Sequence, residues 1–350
     1  MDDIINTTDY KDWLQSLKRR IQQSQIKAAI QVNSELLSLY WQMGKDIVEK
    51  QAQAKWGDGF LQTLSADLSK MFPTMKGFSE RNLRYCKKFY LFYNQKNIFL
   101  HQVGAEMPDD FFLFQIPWRH QVEIITKCRT VEEATFYVYK TIENHWSRSV
   151  LEHQIELNLY ERQGKAITNF QQQLPIPTSD LAQELTKDPY VFDFLSITGS
   201  YTEKELQQYL EDQMTKFLLE LGKGFCFYGK QVHINVGGDD FYIDLLFYNV
   251  QLHCYVVVEL KTIKFKPEHI GQLKFYVTAI NRQLRTEADN PTIGLLICKN
   301  KNDVVAEYTL DDIHNPIGIS SYKLFDELSK DYKSSLPSIE EIEKQLNITN

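Results

Sequence analysis

The chain has 350 residues, 43% of them hydrophobic and 24% charged, a composition typical of globular domains and long enough for two or three of them. No window approaches the ~18–20 uncharged apolar residues of a membrane span, and the acidic start Met1-Asp2-Asp3 is unlike the basic, then apolar, opening of a secretory signal. The cysteines Cys86, Cys128, Cys226, Cys254 and Cys298 are odd in number and lack Cys-x-x-Cys spacing. That argues against a disulfide framework or a zinc site, and for a reducing, cytoplasmic setting.

The net charge of −7 hides a gradient: residues 10–100 carry 15 Lys and Arg against 7 Asp and Glu, whereas residues 101–199 carry 8 against 14. A locally basic segment suits phosphate binding, and equally a solvated helical surface.

Residues 9–165 read as an all-helical domain. Trp13, Leu17 and Ile21, then Leu36, Leu37, Tyr40, Met43 and Ile47, recur at helical spacing. Trp56-Gly57-Asp58-Gly59 punctuates the series, and a further helix from Phe60 stops at Phe72-Pro73. Ser79 is a good N-cap for a helix reaching about Tyr93. On that helix Leu83, Cys86 and Tyr90 share one face, while Arg81, Arg84 and Lys88 share another with Lys87 beside it. Such a pair of helices with a basic stripe fits a helix-turn-helix contact to DNA, or simply a helix pair. Helices follow over Gln121–Thr130, Val131–Asn144 and Ser147–Gln163. Residues 166–180, polar and with two prolines, read as a linker, and 181–345 as a second domain.

In that second part Ser200–Leu221 is predicted as one helix. Phe225–Val236 and Phe241–Asn249 are strands joined through Gly237-Gly238, and Cys254–Thr262 is a third. A helix begins near Pro267, and Thr292–Cys298 is a fourth strand. Charges interrupt two of these apolar runs at Asp244, Glu259 and Lys261, and an acid inside a core strand needs a partner or a metal.

A hairpin centred on Gln251-Leu252 places Asp244 opposite Glu259 on one face, with Cβ atoms about 4.5–5.5 Å apart, and Lys261 points the same way. Two carboxylates that close require a shared proton or an intervening cation. The set suits Mg²⁺-assisted hydrolysis of a phosphodiester, Mg²⁺ taking one or two carboxylates, waters and phosphate oxygens. A buried Lys261–carboxylate salt bridge is the structural alternative. A hairpin centred on residues 238 and 239 would bring His233 opposite Asp244, although a packed strand histidine reads as well.

Asp244, fourteen residues, then Glu259-x-Lys261, within the order helix, three strands, helix, strand, resembles the PD-(D/E)XK restriction-endonuclease-like nucleases. Leu151-Glu-His-Gln-Ile-Glu156, Lys187-Asp-Pro-Tyr190, Phe217-Leu-Leu-Glu-Leu-Gly222, Phe241–Tyr248 and Asn290-Pro-Thr-Ile-Gly-Leu-Leu296 are similar to the YhcG-type nucleases of bacteria, nearly throughout the chain. The resemblance implies an α+β protein: an all-α N-terminal domain, then an α/β restriction-endonuclease-like domain with a central mixed sheet.

It further implies a Mg²⁺-dependent endodeoxyribonuclease, with Mn²⁺ as a substitute, acting on DNA in recombination, repair or defence. Asp244 and Glu259 would be metal ligands and Lys261 the catalytic lysine. Glu220 is the candidate extra acid from the preceding helix, or else an exposed glutamate. Gln272 is the candidate polar group from the following helix. Lys264 and Lys266 would meet substrate phosphates or lie in an exposed loop. Ile243, not proline, precedes Asp244. Cutting both strands would call for two active sites and hence a homodimer. The rival reading is a catalytically silent DNA-binding or protein-assembly module that keeps the fold.

Overall fold

A computed structural model describes residues 8–54, 59–94, 112–195, 197 and 200–324. Trp56-Gly57-Asp58 and the last part of the expected second domain, 325–345, lie outside the described residues. The chain divides into two compact units, Met1–Tyr160 and Glu161–Asn350. Among the described residues no helix is long and apolar enough to cross a membrane.

The first unit is helical: α1 (Thr8–Ala54), α2 (Phe60–Met71), α3 (Glu80–Asn94), α4 (Trp118–Lys127), α5 (Val131–Asn144) and α6 (Arg148–Glu156). The C-terminal half of α1 buries Leu37, Tyr40, Trp41 and Ile47. In its N-terminal half the apolar positions Trp13, Leu14 and Ile21 stay about half exposed, so only part of the stripe read from the sequence is core. Helix α3 buries Leu83, Cys86 and Phe89, with Trp41 edge-on to Phe89 at 5.4 Å between centroids. This packing depends on Gly44. A Cβ there would lie 2.2 Å from the Cys86 carbonyl oxygen, so the lack of a side chain lets α1 and α3 approach closely. Helix α6 is shorter than predicted, because Asn158 takes a left-handed φ of 50° and breaks the run to Gln163.

The second unit is built on a seven-stranded mixed sheet: β1 (Ile167–Thr168), β2 (Tyr190–Phe192), β3 (Phe225–Val236), β4 (Asp239–Asn249), β5 (Cys254–Lys264), β6 (Ile293–Asn300) and β7 (Ile317–Leu324). The order is β1-β7-β6-β5-β4-β3, with β2 also paired to β7. The β3-β4-β5 meander is antiparallel and β5-β6-β7 is parallel. Alternation along the strands sorts side chains onto two cores. Leu245, Phe247, Val256 and Val258 pack with Leu206 and Leu210 of α7 (Glu203–Asp212) and Phe217 and Leu221 of α8 (Met214–Leu221). Leu246, Val257 and Leu296 pack with Ile270, Leu273 and Val277 of α9 (His269–Gln283) and Ala306 of α10 (Asp303–Leu310). The sheet is therefore covered by helices on both faces.

Three expectations change. Residues 166–180 are not a linker: β1 pairs with β7, Phe170 and Leu174 enter the core, and the Asn169 side chain donates to the carbonyls of Ile313 and Asn315 at 2.7 and 3.0 Å. Prolines and polar residues that punctuate a linker also punctuate tight turns between short elements. The helix over Ser200–Leu221 is two helices, α7 starting after a Thr202–Glu205 capping box and breaking at Gln213. Strand β7, within the unassigned tail, is almost wholly buried.

The two hairpins settle the register around the charged residues. Gly237 and Gly238, at φ 68° and 98°, form a two-residue turn closed by Val236 opposite Asp239. Positive φ at both central positions matches the right-handed twist of the strands. The β4–β5 turn has no glycine. Asn249 Oδ1 instead accepts from the N–H groups of Gln251 and Leu252, both at 3.0 Å, and His253 takes φ 48°. The resulting ladder pairs Asn249 with Cys254 and continues to Leu245 with Val258, which is the hairpin centred on Gln251-Leu252.

Gly44→Val should force α1 and α3 apart and cost about 1–3 kcal/mol. Thermal denaturation followed by circular dichroism measures it, and an unchanged midpoint would contradict the close approach.

Candidate active site

Strand β5 is interior to the sheet, between β4 and β6, and the helices packed on the two faces bury most of its side chains. Glu259 and Lys261, two residues apart, share a face, and the Lys261 Nζ donates to Glu259 Oε1 at 3.1 Å. The ladder to β4 stops at Leu245 and Val258, one step short of Asp244 and Glu259. There the Leu260 N–H donates to Asp244 Oδ2 at 3.3 Å. The alternation of β4 slips at the same place, since Ile243 belongs to the α9 core and Leu245 to the α7 core. A carboxylate thus replaces a backbone acceptor where the two strands part.

Lys261 also donates to Glu203 Oε2 at 3.2 Å. Glu203 is the first residue of α7, set there by the Thr202–Glu205 capping box. Two carboxylates, those of Glu203 and Glu259, therefore hold one ammonium, whose charge also acts on Asp244. Glu259 is 1% exposed, and its Oε2 is buried without a hydrogen-bond partner. Burial, then the Asp244 charge, push the Glu259 carboxyl up to about 8. Burial likewise raises Asp244, against the lowering effect of the Leu260 N–H and Lys261. Burial disfavours the Lys261 ammonium, but Glu259 and Glu203 more than offset this and raise its pKa overall. Half-buried His269, at the start of α9, is lowered by burial and by the Lys261 charge.

This donor set fits a hard divalent cation. Among the described residues no three His, Cys, Asp or Glu side chains converge into a ready-made metal cage. Mg²⁺ needs none, since it keeps several waters and takes one or two carboxylates. The unpartnered Glu259 Oε2 and the raised Asp244–Glu259 pair are what a cation would relieve.

Comparison with known proteins agrees with the division into a helical part and a sheet domain. Residues 183–337 match the profile of the YhcG PDDEXK nuclease domain, and residues 16–162 match the DUF1016 N-terminal domain. The protein described as "Putative nuclease YhcG" of Escherichia coli (strain K12) is 30% identical over 321 residues, 84% of each chain. The chain belongs to the YhcG family. Its C-terminal part is thus a PDDEXK nuclease domain of restriction-endonuclease-like fold. Among solved structures, the EndoMS–dsDNA2 complex aligns at a TM-score of 0.26 and 17% identity, over 38% of this chain and 47% of that one. A repair endonuclease from Pyrococcus abyssi aligns at 0.25 and 16%, over 36% and 49%. At these TM-scores neither alignment carries an argument about the site.

Within this YhcG-family chain two predicted site residues, Glu220 and His233, take partners other than Asp244, Glu259 and Lys261. Glu220 is corrected. It is neither exposed nor aimed at the Lys261 cluster, but 5% exposed and held by the guanidinium of Arg162, the ammonium of Lys187 at 3.5 Å and the Val191 N–H at 2.8 Å. The split between α7 and α8 explains this, because the acid near Lys261 comes from the first turn of α7. His233 is corrected too. The two-residue turn places it opposite Tyr242, with its Nε2 2.7 Å from Asp240 Oδ1 at the surface. Gln272 is exposed, and its amide donates to Tyr276 Oη at 3.1 Å.

Lys264 and Lys266 are exposed, Lys264 as the last residue of β5 and Lys266 3.7 Å from Glu268. On α3, Arg81, Arg84 and Lys88 are exposed. Arg84 pairs with Glu80 at 2.5 Å, Arg81 lies over the Tyr85 ring, and Lys87 donates to Gln51 at 2.6 Å. Glu203 was missed because it reads as one more helix-surface acid. The Thr202-x-x-Glu205 spacing was the signal that fixed it at the helix start.

Glu220→Ala leaves two buried cations without their acid and should cost about 3–5 kcal/mol, measured as a lower denaturation midpoint. The raised Glu259 pKa has a second consequence. Between the ordinary carboxylate pKa of 4.5 and about 8, the folded state holds a proton that the unfolded state has released. Metal-free protein should therefore lose stability as pH rises through this window, by about 1.4 kcal/mol per pH unit for one proton. Thermal melts from pH 5 to 8 should show the slope, and Glu259→Gln should flatten it.

Proposed function

We propose that this protein is a metal-dependent DNA nuclease that hydrolyses phosphodiester bonds internally. The carrying observation is the buried, unpartnered Glu259 Oε2 beside Asp244, with Lys261 as the single ammonium among the acids. Asp244 and Glu259 would hold Mg²⁺, with Mn²⁺ as a substitute, and Glu203 lies within reach of the same cluster through Lys261. When bound, the ion supplies charge neutralisation for the phosphate and a lowered pKa for the attacking water.

The chain's own residues do the rest. Glu259 and Glu203 hold the Lys261 Nζ between them, which fixes a cation where negative charge grows on the phosphate oxygens. Preorganised charge of this kind costs no reorganisation during the reaction. Lys261 keeps its proton in this setting, since its two acid partners favour the ammonium. Its role is then to orient water and stabilise charge, not to act as the base.

Exposed Lys264 and Lys266 follow Lys261 along the chain and would meet the substrate backbone. Arg81 and Lys88, with Arg84 and Lys87, form the basic stripe that would contact DNA phosphates from the N-terminal unit. Incision of both strands would use a dimer, one site per strand. The role in recombination, repair or defence depends on which DNA form is cut.

The test is a cleavage panel of linear, branched and single-stranded DNA with Mg²⁺, with Mn²⁺ and with chelator. Asp244→Ala, Glu259→Ala and Lys261→Ala should each lower the rate by about 100-fold or more while DNA binding persists. Cleavage in chelator, or full activity of the variants, would overturn the reading. Binding without cleavage under any metal would instead favour the silent DNA-binding module.

A further inference from the structure

Near the middle of β3, Gln231 sits at φ 41°, in the left-handed region that costs a residue with a side chain and is natural for glycine. It lies between two ladder pairs, Lys230 with Leu245 and Val232 with Ile243, which leaves it across from Asp244. Its amide Nε2 donates to Gln207 Oε1 at 3.0 Å and to Asp244 Oδ1 at 3.3 Å. Gln207, 7% exposed, returns the contact by donating its own Nε2 to the Asp244 backbone carbonyl at 2.7 Å. It stands one helical turn after Glu203 on α7. The Leu260 N–H holds the remaining carboxylate oxygen of Asp244. Each oxygen of Asp244, main chain included, therefore has one fixed donor, and two of the three come from these glutamines.

We propose that Gln207 and Gln231 are positioning residues that set the orientation of Asp244 for metal binding, and that the left-handed backbone of Gln231 is retained because it delivers the amide to that carboxylate. The inference rests on reading Asp244 as a metal ligand. Backbone strain held at one point of a strand, with the side chain turned onto an acid of the candidate site, is the pattern expected where stability is traded for site geometry. Each carboxylate oxygen keeps acceptor capacity beyond its single donor, so the glutamines aim the group without saturating it. Oriented ligands bind metal more tightly than free ones, by roughly 10–100-fold for a supporting hydrogen bond.

Gln231→Gly relaxes the backbone and removes the amide together, and the two effects move different readouts, stability upward and metal affinity downward. The full-length variant should melt at or above the wild-type temperature, yet bind Mn²⁺ roughly tenfold or more weakly by titration calorimetry without DNA. Cleavage at saturating Mn²⁺ should approach the wild-type rate. Gln207→Leu should weaken Mn²⁺ binding in the same direction. Mn²⁺ affinity within twofold of wild type in both variants would overturn the proposal, as would a lower melting temperature with unchanged affinity.

The metal-free melting temperatures of Gln231→Gly, Asp244→Asn and the double variant form a second arm. Non-additive changes support positioning of Asp244, and additive ones refute it. Failure of the nuclease reading would show differently, as wild-type protein that binds no Mn²⁺ and cuts no DNA while the non-additivity remains.

Discussion

Charge burial on β5 is the constraint around which the second unit is arranged. Glu259 and Lys261 lie on an interior strand, and desolvating a carboxylate costs several kcal/mol unless charge or hydrogen bonds compensate. One ammonium shared between Glu203 and Glu259, with the Asp244 charge nearby, leaves an excess of negative charge. Burial first, and then that excess, raise the carboxyl pKa values of Glu259 and Asp244. A fold that tolerates it bears a local cost in stability, which the proposed metal site would account for.

The surrounding structure holds this unfavourable cluster in place. The two cores on either side of the sheet fix β5 between β4 and β6. The capping box at Thr202 fixes where α7 begins and so where Glu203 sits. The Asn249 turn fixes the β4–β5 register without a glycine. The second buried ionic group, Glu220 with Arg162 and Lys187, is of another kind. Its acid is saturated with donors, which makes it a structural tie across the segment 161–221. Buried acids in one domain thus divide by what remains of their acceptor capacity: Glu220 has spent it, and Glu259 has not.

Much of this was legible before the structure. Helical periodicity and breakers located α2, α3 and α5, and the β-branched, aromatic runs located β3, β4 and β5. The centre of the β4–β5 hairpin followed from the spacing of the two runs, although the ladder ends at Leu245 and Val258, one step before the expected Asp244–Glu259 pair. The spacing of Asp244, Glu259 and Lys261 carried the family resemblance. Less legible were features whose local signal has two meanings. Prolines and glutamines at 166–180 mark turns between packed elements as readily as a linker. A two-residue Gly-Gly turn and a four-residue turn including Asp239-Asp240 differ by two in register, enough to move His233 away from Asp244.

Sequence alone determined most of the longer helices and strands, the acid–lysine pattern and the family, because these depend on periodicity and spacing along one chain. Only the tertiary structure decided which acid joins Lys261. Glu203 and Glu220 are both glutamates of the helical stretch before β3, and the Thr202-x-x-Glu205 cap marks where a helix starts without saying which acid meets Lys261. The break at Gln213 and the cations brought by Arg162 and Lys187 decide it, by sequestering Glu220 and leaving Glu203 beside the ammonium. Nor could the chain alone show that Gln231 turns left-handed to reach Asp244. That conformation costs energy locally and is held only by contacts from a helix and a strand distant in sequence.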